Sequence, residues 1–144
     1  MAKNLKQIHP DFVICYKVGK FYNSFGKDAC IISYLFEYST RKTEQDIIST
    51  GFPKNALPKV MSKLEKEKLN YLIIDTRNNY NVDEESDNKN LNRYHEISKK
   101  AQKYVKYKRR IDEVKNTLIK NIEKEEFATK FTKIEEILYG KWKI

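Results

Sequence analysis

The chain has 144 residues, with 29 Lys and Arg against 20 Asp and Glu, a formal net charge of +9, and only 4 Gly and 3 Pro. This length fits one domain with an appended helical piece and excludes a large multidomain enzyme, and a hydrophobic content of 40% excludes a wholly disordered chain. The positive charge points to a polyanionic partner, with nucleic acid as the first candidate, although AT-rich codons alone would also supply many of the Lys and Tyr residues.

The first third of the chain alternates strand and helix patterns. A continuous apolar run rich in β-formers predicts a buried strand over residues 12–18. Gly19 interrupts it, and residues 20–25 continue as a second extended segment. Apolar residues over 29–36 then suit a buried helix, with Asp28 favourably placed in its first turn.

The next stretch repeats this alternation. A short strand is predicted over residues 47–50, before Gly51-Phe52-Pro53. Asn55 is a candidate N-cap for a helix with one apolar face, which consists of Leu57, Val60, Met61 and Leu64. Residues 71–75 predict another core strand, and residues 80–82 predict a return strand.

The rest of the chain, from residue 83 onwards, has a different character. Residues 83–92 form a polar break, which predicts a linker. Beyond it, apolar residues recur at helical spacing, first as Ile97, Ala101, Tyr104, Ile111, Leu118 and Ile122, then as Phe127, Phe131, Ile134 and Leu138. Two amphipathic helices are therefore predicted, able to pack as a hairpin on each other, on the first domain or on a partner. The predicted organisation is a domain at 1–82, a linker at 83–92 and a basic helical region at 93–144.

The sequence carries little that predicts chemistry. His9 and His95 lie far apart with no Cys or carboxylate at metal-binding spacing, so neither a metal site nor another cofactor is expected. Phosphate-binding and nucleophile-elbow motifs are also missing from the sequence. Cys15 and Cys30 sit in apolar segments, which indicates reduced core thiols rather than reactive ones. With no apolar run long enough for a secretion signal or a membrane span, we expect a cytoplasmic, non-catalytic protein that does not bind membranes.

A basic segment covers residues 97–111, which contain seven Lys and Arg and no acid. On a helix, Lys99, Lys103, Lys106 and Arg110 fall within roughly 60° of one another, opposite the apolar stripe. A one-sided ridge of this kind can follow phosphates without base preference. The alternative interpretation is the solvated face of an ordinary amphipathic helix.

Two motifs in the first domain resemble a known family. Residues 11–29 read DFVICYKVGKFYNSFGKDA, which is similar to the opening of the mismatch-recognition domain of the MutS family: a hydrophobic strand, then Arg/Lys-Val-Gly-x-Phe-Tyr-Glu, and an acidic residue before Ala. Residues 51–57, GFPKNAL, match the family's Gly-Val-Pro-x-His-Ala-Leu. The resemblance covers roughly residues 5–82, in the family's order. It implies an α+β fold in which a small mixed β-sheet is flanked by helices. The C-terminal helical hairpin follows this domain.

The resemblance also implies a DNA-binding site. By it, Phe21 is an aromatic wedge that enters the minor groove and stacks on a mispaired base, while Asn23 contacts the same base and Lys20 lies beside them. Selectivity would come from the low cost of unstacking and bending a mispaired step. Asn23 replaces the family's Glu, and so loses the negative charge and the proton that a carboxylate can share with a base nitrogen, although an amide still donates and accepts hydrogen bonds. Without the resemblance, the more common role of a Phe is core packing.

Three functions are consistent with the sequence. The first is a DNA-binding module for mispaired or distorted duplex, with phosphate contacts from the basic helix. The second is an adaptor that docks a repair, polymerase or mobile-element protein through its helical tail. The third, a nuclease, lacks a cluster of acids or histidines that would catalyse cleavage. The sequence leaves open whether the nucleic acid is DNA, RNA or a hybrid.

Overall fold

The computed structural model describes residues 2–77, 80–86 and 92–142, with side chains from residue 5 to residue 140 within those ranges. The helices are α1 (Ala2–Ile8), α2 (Gly26–Phe36), α3 (Leu57–Lys66), α4 (Tyr94–Lys120) and α5 (Phe127–Trp142). The strands are β1 (Phe12–Val18), β2 (Phe21–Phe25), β3 (Arg41–Lys42), β4 (Ile48–Pro53), β5 (Asn70–Asp75) and β6 (Asn81–Glu85). Among the described residues, no helix combines the length and hydropathy of a transmembrane span.

The six strands form one mixed sheet in the order β3-β4-β2-β1-β5-β6. Strands β1 and β5 are parallel, with Ile14 opposite Leu72, and every other pair is antiparallel. The parallel pair lies in the middle of the sheet, where its apolar run is covered on both faces, as parallel strands require. The α+β fold class predicted from the sequence is confirmed.

One face of the sheet holds the main core. Side chains from β1, β2, β4 and β5 pack there against helices α2 and α3 and the first turns of α4. The rings of Tyr22 and Phe52 stack across β2 and β4 with centroids 5.5 Å apart. Cys15 and Cys30 are both unpaired and buried in this core, which confirms their prediction as core thiols. Burial raises the pKa of Cys15 to about 12, so this thiol stays protonated at neutral pH.

A smaller apolar cluster lies on the opposite face. Ile14, Tyr16, Leu72 and Ile74 are buried there, and Leu5 of helix α1 packs against them. Helix α1 was not predicted from the sequence, because a seven-residue segment with few apolar side chains gives almost no periodic signal. This cluster covers the part of the face nearest β5 and leaves β2 largely open.

The buried carboxylate of Asp28 joins α1, β1 and the start of α4. It accepts hydrogen bonds from the Lys6 ammonium (2.7 Å), the Tyr94 hydroxyl (2.6 Å) and the backbone N–H of Ile14 (3.2 Å). Burial raises the pKa of Asp28, against the opposing effect of the Lys6 charge and these hydrogen bonds. The acidic residue of the first sequence motif therefore ties α1 and the start of α4 to the sheet.

Several details differ from the sequence predictions. Strand β4 runs through Gly51-Phe52-Pro53, where the strand predicted over residues 47–50 was expected to end. Asn55 is not the N-cap of α3, because residues Lys54–Ala56 form a 3₁₀ turn and Ala56 occupies the capping position. The predicted apolar face of α3 is nonetheless confirmed, since Val60 and Leu64 are buried. Strand β6 continues to Glu85, three residues into the predicted linker, and residues 87–91 of that linker lie outside the described residues.

The chain divides into two compact units, Met1–Val105 and Lys106–Ile144. The division falls inside α4. In the first unit, Tyr94, Ile97, Ala101 and Val105 of α4 are buried in the main core. The second unit contains the rest of α4 and α5, which form the predicted helical hairpin, joined by residues 121–126.

Candidate nucleic-acid interface

The β1–β2 hairpin presents the first candidate residues. Val18 pairs with Phe21 across a two-residue turn formed by Gly19 and Lys20. Gly19 has a φ of 63°, in the left-handed region that favours glycine at the first position of such a turn. The turn places the exposed Lys20 at the end of the sheet and starts β2 with Phe21.

Phe21 is a surface residue. It is 54% exposed, whereas Tyr22 and Ser24 on either side of Asn23 point into the protein. Alternation along a strand puts Phe21 and Asn23 on the same face of the sheet. The structure therefore presents the aromatic ring and the amide together on one open surface, as a stacking contact and a hydrogen-bonding contact would require.

Sequence reasoning did not single out a second aromatic on this surface. Phe25 is 41% exposed and lies on the same face of β2 as Phe21, about 13 Å along the strand. Its ring centroid is 6.0 Å from that of Tyr16. The available signal was the i, i+2, i+4 spacing from Phe21, but that spacing does not tell which face of the sheet is open.

Asn23 lies directly over a glycine of the neighbouring strand. Asn23 pairs with Gly51 of β4, and a Cβ added to Gly51 would lie 2.6 Å from Oδ1 of Asn23 and 3.2 Å from the carbonyl oxygen of Tyr22. The side chain of Asn23 therefore occupies space that any other residue at position 51 would fill. Gly51 opens the second sequence motif, so the structure brings the two motifs into contact at this pair.

Positive charge flanks the turn. The backbone N–H of Lys54 donates a hydrogen bond to the carbonyl of Lys20 at 2.8 Å, and both side chains are exposed. Lys54 was missed from the sequence because only the antiparallel pairing of β2 with β4 brings it to the turn, with Phe21 opposite Pro53. Two exposed lysines therefore neighbour Phe21 at the turn, one along the chain and one across the strand pair.

The remaining candidate residues lie on α4. Lys99 and Lys103 belong to the first unit, and Lys106 and Arg110 belong to the second; all four are exposed. Within the described part of the chain, none of these four is ion-paired. By contrast, Lys100 and Lys108, which lie away from this ridge, pair with Glu96 (3.9 Å) and Asp112 (2.9 Å).

Over residues 2–77, 80–86 and 92–142, no three His, Cys, Asp or Glu side chains cluster closely enough to hold a metal ion. What the site offers is an exposed aromatic ring, an amide and cations.

Residues 2–115 match the family "MutS domain I". Two curated relatives, each a "DNA mismatch repair protein MutS", are similar over 49% of this chain. The protein of Chlorobium chlorochromatii (strain CaD3) is 31% identical over 71 residues, and that of Porphyromonas gingivalis (strain ATCC BAA-308 / W83) is 33% identical over 75 residues. The matched part is 8% of the length of each relative. Because the family match covers most of the chain and includes both motifs of the sheet, this protein belongs to the MutS domain I family.

Proposed function

We propose that this chain is a non-catalytic DNA-binding module that engages mispaired or otherwise distorted duplex through Phe21. The observation that carries the proposal is the exposure of Phe21 on the same sheet face as Asn23, at the end of a tight hairpin. A large aromatic side chain that is half exposed forgoes about half of the stabilisation that full burial would give. Its position is better explained by a ligand surface on which the ring stacks.

The physical basis of recognition is the deformability of the DNA. Inserting an apolar side chain between base steps costs a few kcal/mol of unstacking, and this cost is lower where pairing is already imperfect. Stacking of a base on an aromatic ring returns on the order of 1–3 kcal/mol. The balance therefore favours distorted over matched duplex at the ring of Phe21, with the amide of Asn23 available to the same base.

Asn23 sets the expected limit of selectivity. The family motif that residues 17–23 resemble has Glu at this position. A carboxylate can share a proton with a base nitrogen, whereas the neutral amide of Asn23 can only donate or accept a hydrogen bond. We therefore expect a weaker preference for simple mismatches than a Glu would give, with binding extending to bulged or branched duplex. This expectation concerns the ratio of affinities and not the affinity itself.

Phosphate contacts supply the rest of the affinity. Lys20 and Lys54 flank the ring, and Lys99, Lys103, Lys106 and Arg110 are exposed without an ion pair to any described carboxylate. Cations that are not already paired can neutralise phosphates and release counterions, which makes binding salt-dependent and independent of sequence. The selective contact and the electrostatic contacts can therefore be tested separately.

The central experiment is competition binding of homoduplex, mismatched, bulged and branched DNA to the full chain at two salt concentrations. We expect distorted duplexes to compete more strongly than homoduplex, and every affinity to fall at the higher salt. Equal competition by all four DNAs would contradict recognition through Phe21. Stronger competition by RNA or by a hybrid of the same sequence would reassign the ligand.

The α4 cations are tested as two pairs, one from each unit. Replacing Lys99 and Lys103 with Gln, or Lys106 and Arg110 with Gln, should weaken all duplexes similarly. Each lost phosphate contact should reduce the slope of log affinity against log salt by roughly one. The matched control is the double replacement of Lys100 and Lys108 with Gln, since these exposed lysines are already ion-paired. A control that flattens the slope equally would show that only net charge matters.

A second function is favoured by one observation on the helical hairpin. Between residues 106 and 140 no described side chain is buried, so a continuous apolar surface is left for a protein partner. An adaptor role through this surface is compatible with DNA binding by the first unit. It becomes the principal function if the full chain fails to bind any duplex.

A further inference from the structure

Among the described side chains of the second unit, residues 106–140, none is buried. Six aliphatic side chains of its two helices and the turn between them are 40–60% exposed, namely Ile111, Val114, Ile119, Ile122, Ile134 and Leu138. Leu118, Phe127 and Phe131 are half-buried where the helices meet. Two helices alone cannot enclose such a stripe, and amphipathic helices gain most of their stability from packing that stripe against another element.

These side chains line one continuous groove of about 960 Å³ between α4 and α5. Its lining is apolar except for Arg110 and Lys115 on α4 and Glu135 on α5. The groove therefore combines an apolar floor with cations along one helix and a carboxylate on the other. Phosphates would not fill the floor, because they gain nothing from apolar surface.

We propose that a second copy of this chain occupies the groove, so that two hairpins form an antiparallel four-helix bundle about a two-fold axis. With Tyr107 and Tyr139, eight groove side chains are 40–60% exposed. At on the order of 100 Å² of remaining surface each, they offer roughly 800 Å² per copy. That is the area one partner contributes to a stable interface, and two-fold pairing of identical surfaces is the commonest way to form one.

The charges favour a particular pairing of the helices. Residues 106–120 of α4 carry six Lys and Arg against two acids, whereas α5 carries three Lys against two Glu. Placing α4 of one copy against α5 of the other brings Lys115 towards Glu135, while α4 against α4 would oppose like charges. A two-fold axis generates this favourable contact twice.

The test is sedimentation velocity of the full chain without DNA across a range of concentrations. We expect a species with twice the mass of the 17.2 kDa chain that dissociates on dilution. A monomer at every concentration would overturn the proposal. Because no DNA is present, this result is independent of whether the first unit binds duplex.

Two variants that each place a charge in the groove test where the interface lies. Ile111→Glu and Ile134→Glu each bury an unpaired carboxylate in the proposed bundle, which should raise the dimer dissociation constant on the order of 100-fold. Ile137→Glu is the matched control, because Ile137 lies on the same helix as Ile134, is 81% exposed and is outside the groove. A dimer that survives both groove variants, or that the control disrupts equally, would overturn the assignment.

A charge exchange tests the orientation without adding a charge to the apolar floor. Lys115→Glu and Glu135→Lys should each weaken the homodimer, because each makes the facing side chains alike in charge. Mixing the two variants should restore the dimer as a heterodimer, in which opposite charges face each other on both sides of the axis. Failure of the mixture to dimerise, with circular dichroism showing both variants helical, would refute the proposed pairing of α4 with α5.

Discussion

Replacing Phe21 with Ala separates a ligand-binding aromatic from a structural one. Phe→Ala in a packed core costs about 3–5 kcal/mol of unfolding free energy. Phe21 is 54% exposed, so its truncation removes less than half of that buried surface and opens no enclosed cavity. We therefore expect a loss of unfolding free energy of about 1–2 kcal/mol.

The binding change should be selective. Loss of stacking on one base should cost about 1–3 kcal/mol, a roughly 5- to 150-fold weaker affinity for mispaired or bulged duplex. Matched duplex, in which the ring is not inserted, should change little. The assay is a melting curve for each variant beside competition binding with one distorted and one matched duplex.

Two further aromatic residues provide the controls. Phe52 is 1% exposed and stacks on Tyr22, so Phe52→Ala should give the full core penalty and weaken both duplexes together. Phe25→Ala removes a ring from the same face about 13 Å away and should leave selectivity intact if Phe21 alone is inserted. The reasoning is refuted if Phe21→Ala lowers the melting temperature as much as Phe52→Ala does, or if it weakens both duplexes equally.

Two remaining predictions concern the neighbours of Phe21 and the core. Gly51→Ala should displace the side chain of Asn23, because its Oδ1 would lie 2.6 Å from the new Cβ. The variant should therefore reduce the preference for distorted duplex by the same factor as Asn23→Ala. A double variant with no greater loss than either single variant would show that the two positions act together, and additive losses would contradict this. Cys15 and Cys30 should not react with a thiol reagent at pH 8 in the folded protein. Burial raises the pKa of both thiols, that of Cys15 to about 12. Labelling of the native protein as fast as that of a urea-unfolded sample would disprove this protection.

Local patterns in the sequence predict most of the helices and strands. They do not predict the contacts between strands, because these depend on pairing between residues distant in sequence. The apolar run at 12–18 and the alternation after Gly19 predict β1 and β2 because neighbouring residues alone determine that signal. The order of strands depends on partners distant in sequence, so neither the contact of Asn23 with Gly51 nor the approach of Lys54 to Lys20 was predictable without the fold. Alternation placed Phe21 and Asn23 on one face but did not show that this face is open.

The apolar stripe of α4 shows a second limit of sequence reasoning. Its members have equal spacing and similar hydropathy, yet Ile97 and Ala101 are buried in the first unit while Ile111 is 60% exposed in the second. Periodicity identifies the side of a helix that prefers burial, but what covers that side depends on tertiary structure. The same apolar stripe is therefore buried in the first unit, up to Val105, and exposed in the second unit.

The surface around Phe21 has the properties of a site held ready before its ligand arrives. Its exposed ring follows a two-residue turn and lies on a sheet whose opposite face is the main core, so the backbone beneath it is fixed by strand pairing on both sides. A side chain on a rigid element loses little further conformational freedom when it binds, and less of its stacking energy is spent on ordering. Gly51 adds to this arrangement, because the missing side chain lets Asn23 lie close to the sheet next to the ring. Exposure of Phe21 therefore costs the fold only the burial of one ring, and the strand that carries the ring is already ordered for the proposed stacking on a distorted duplex.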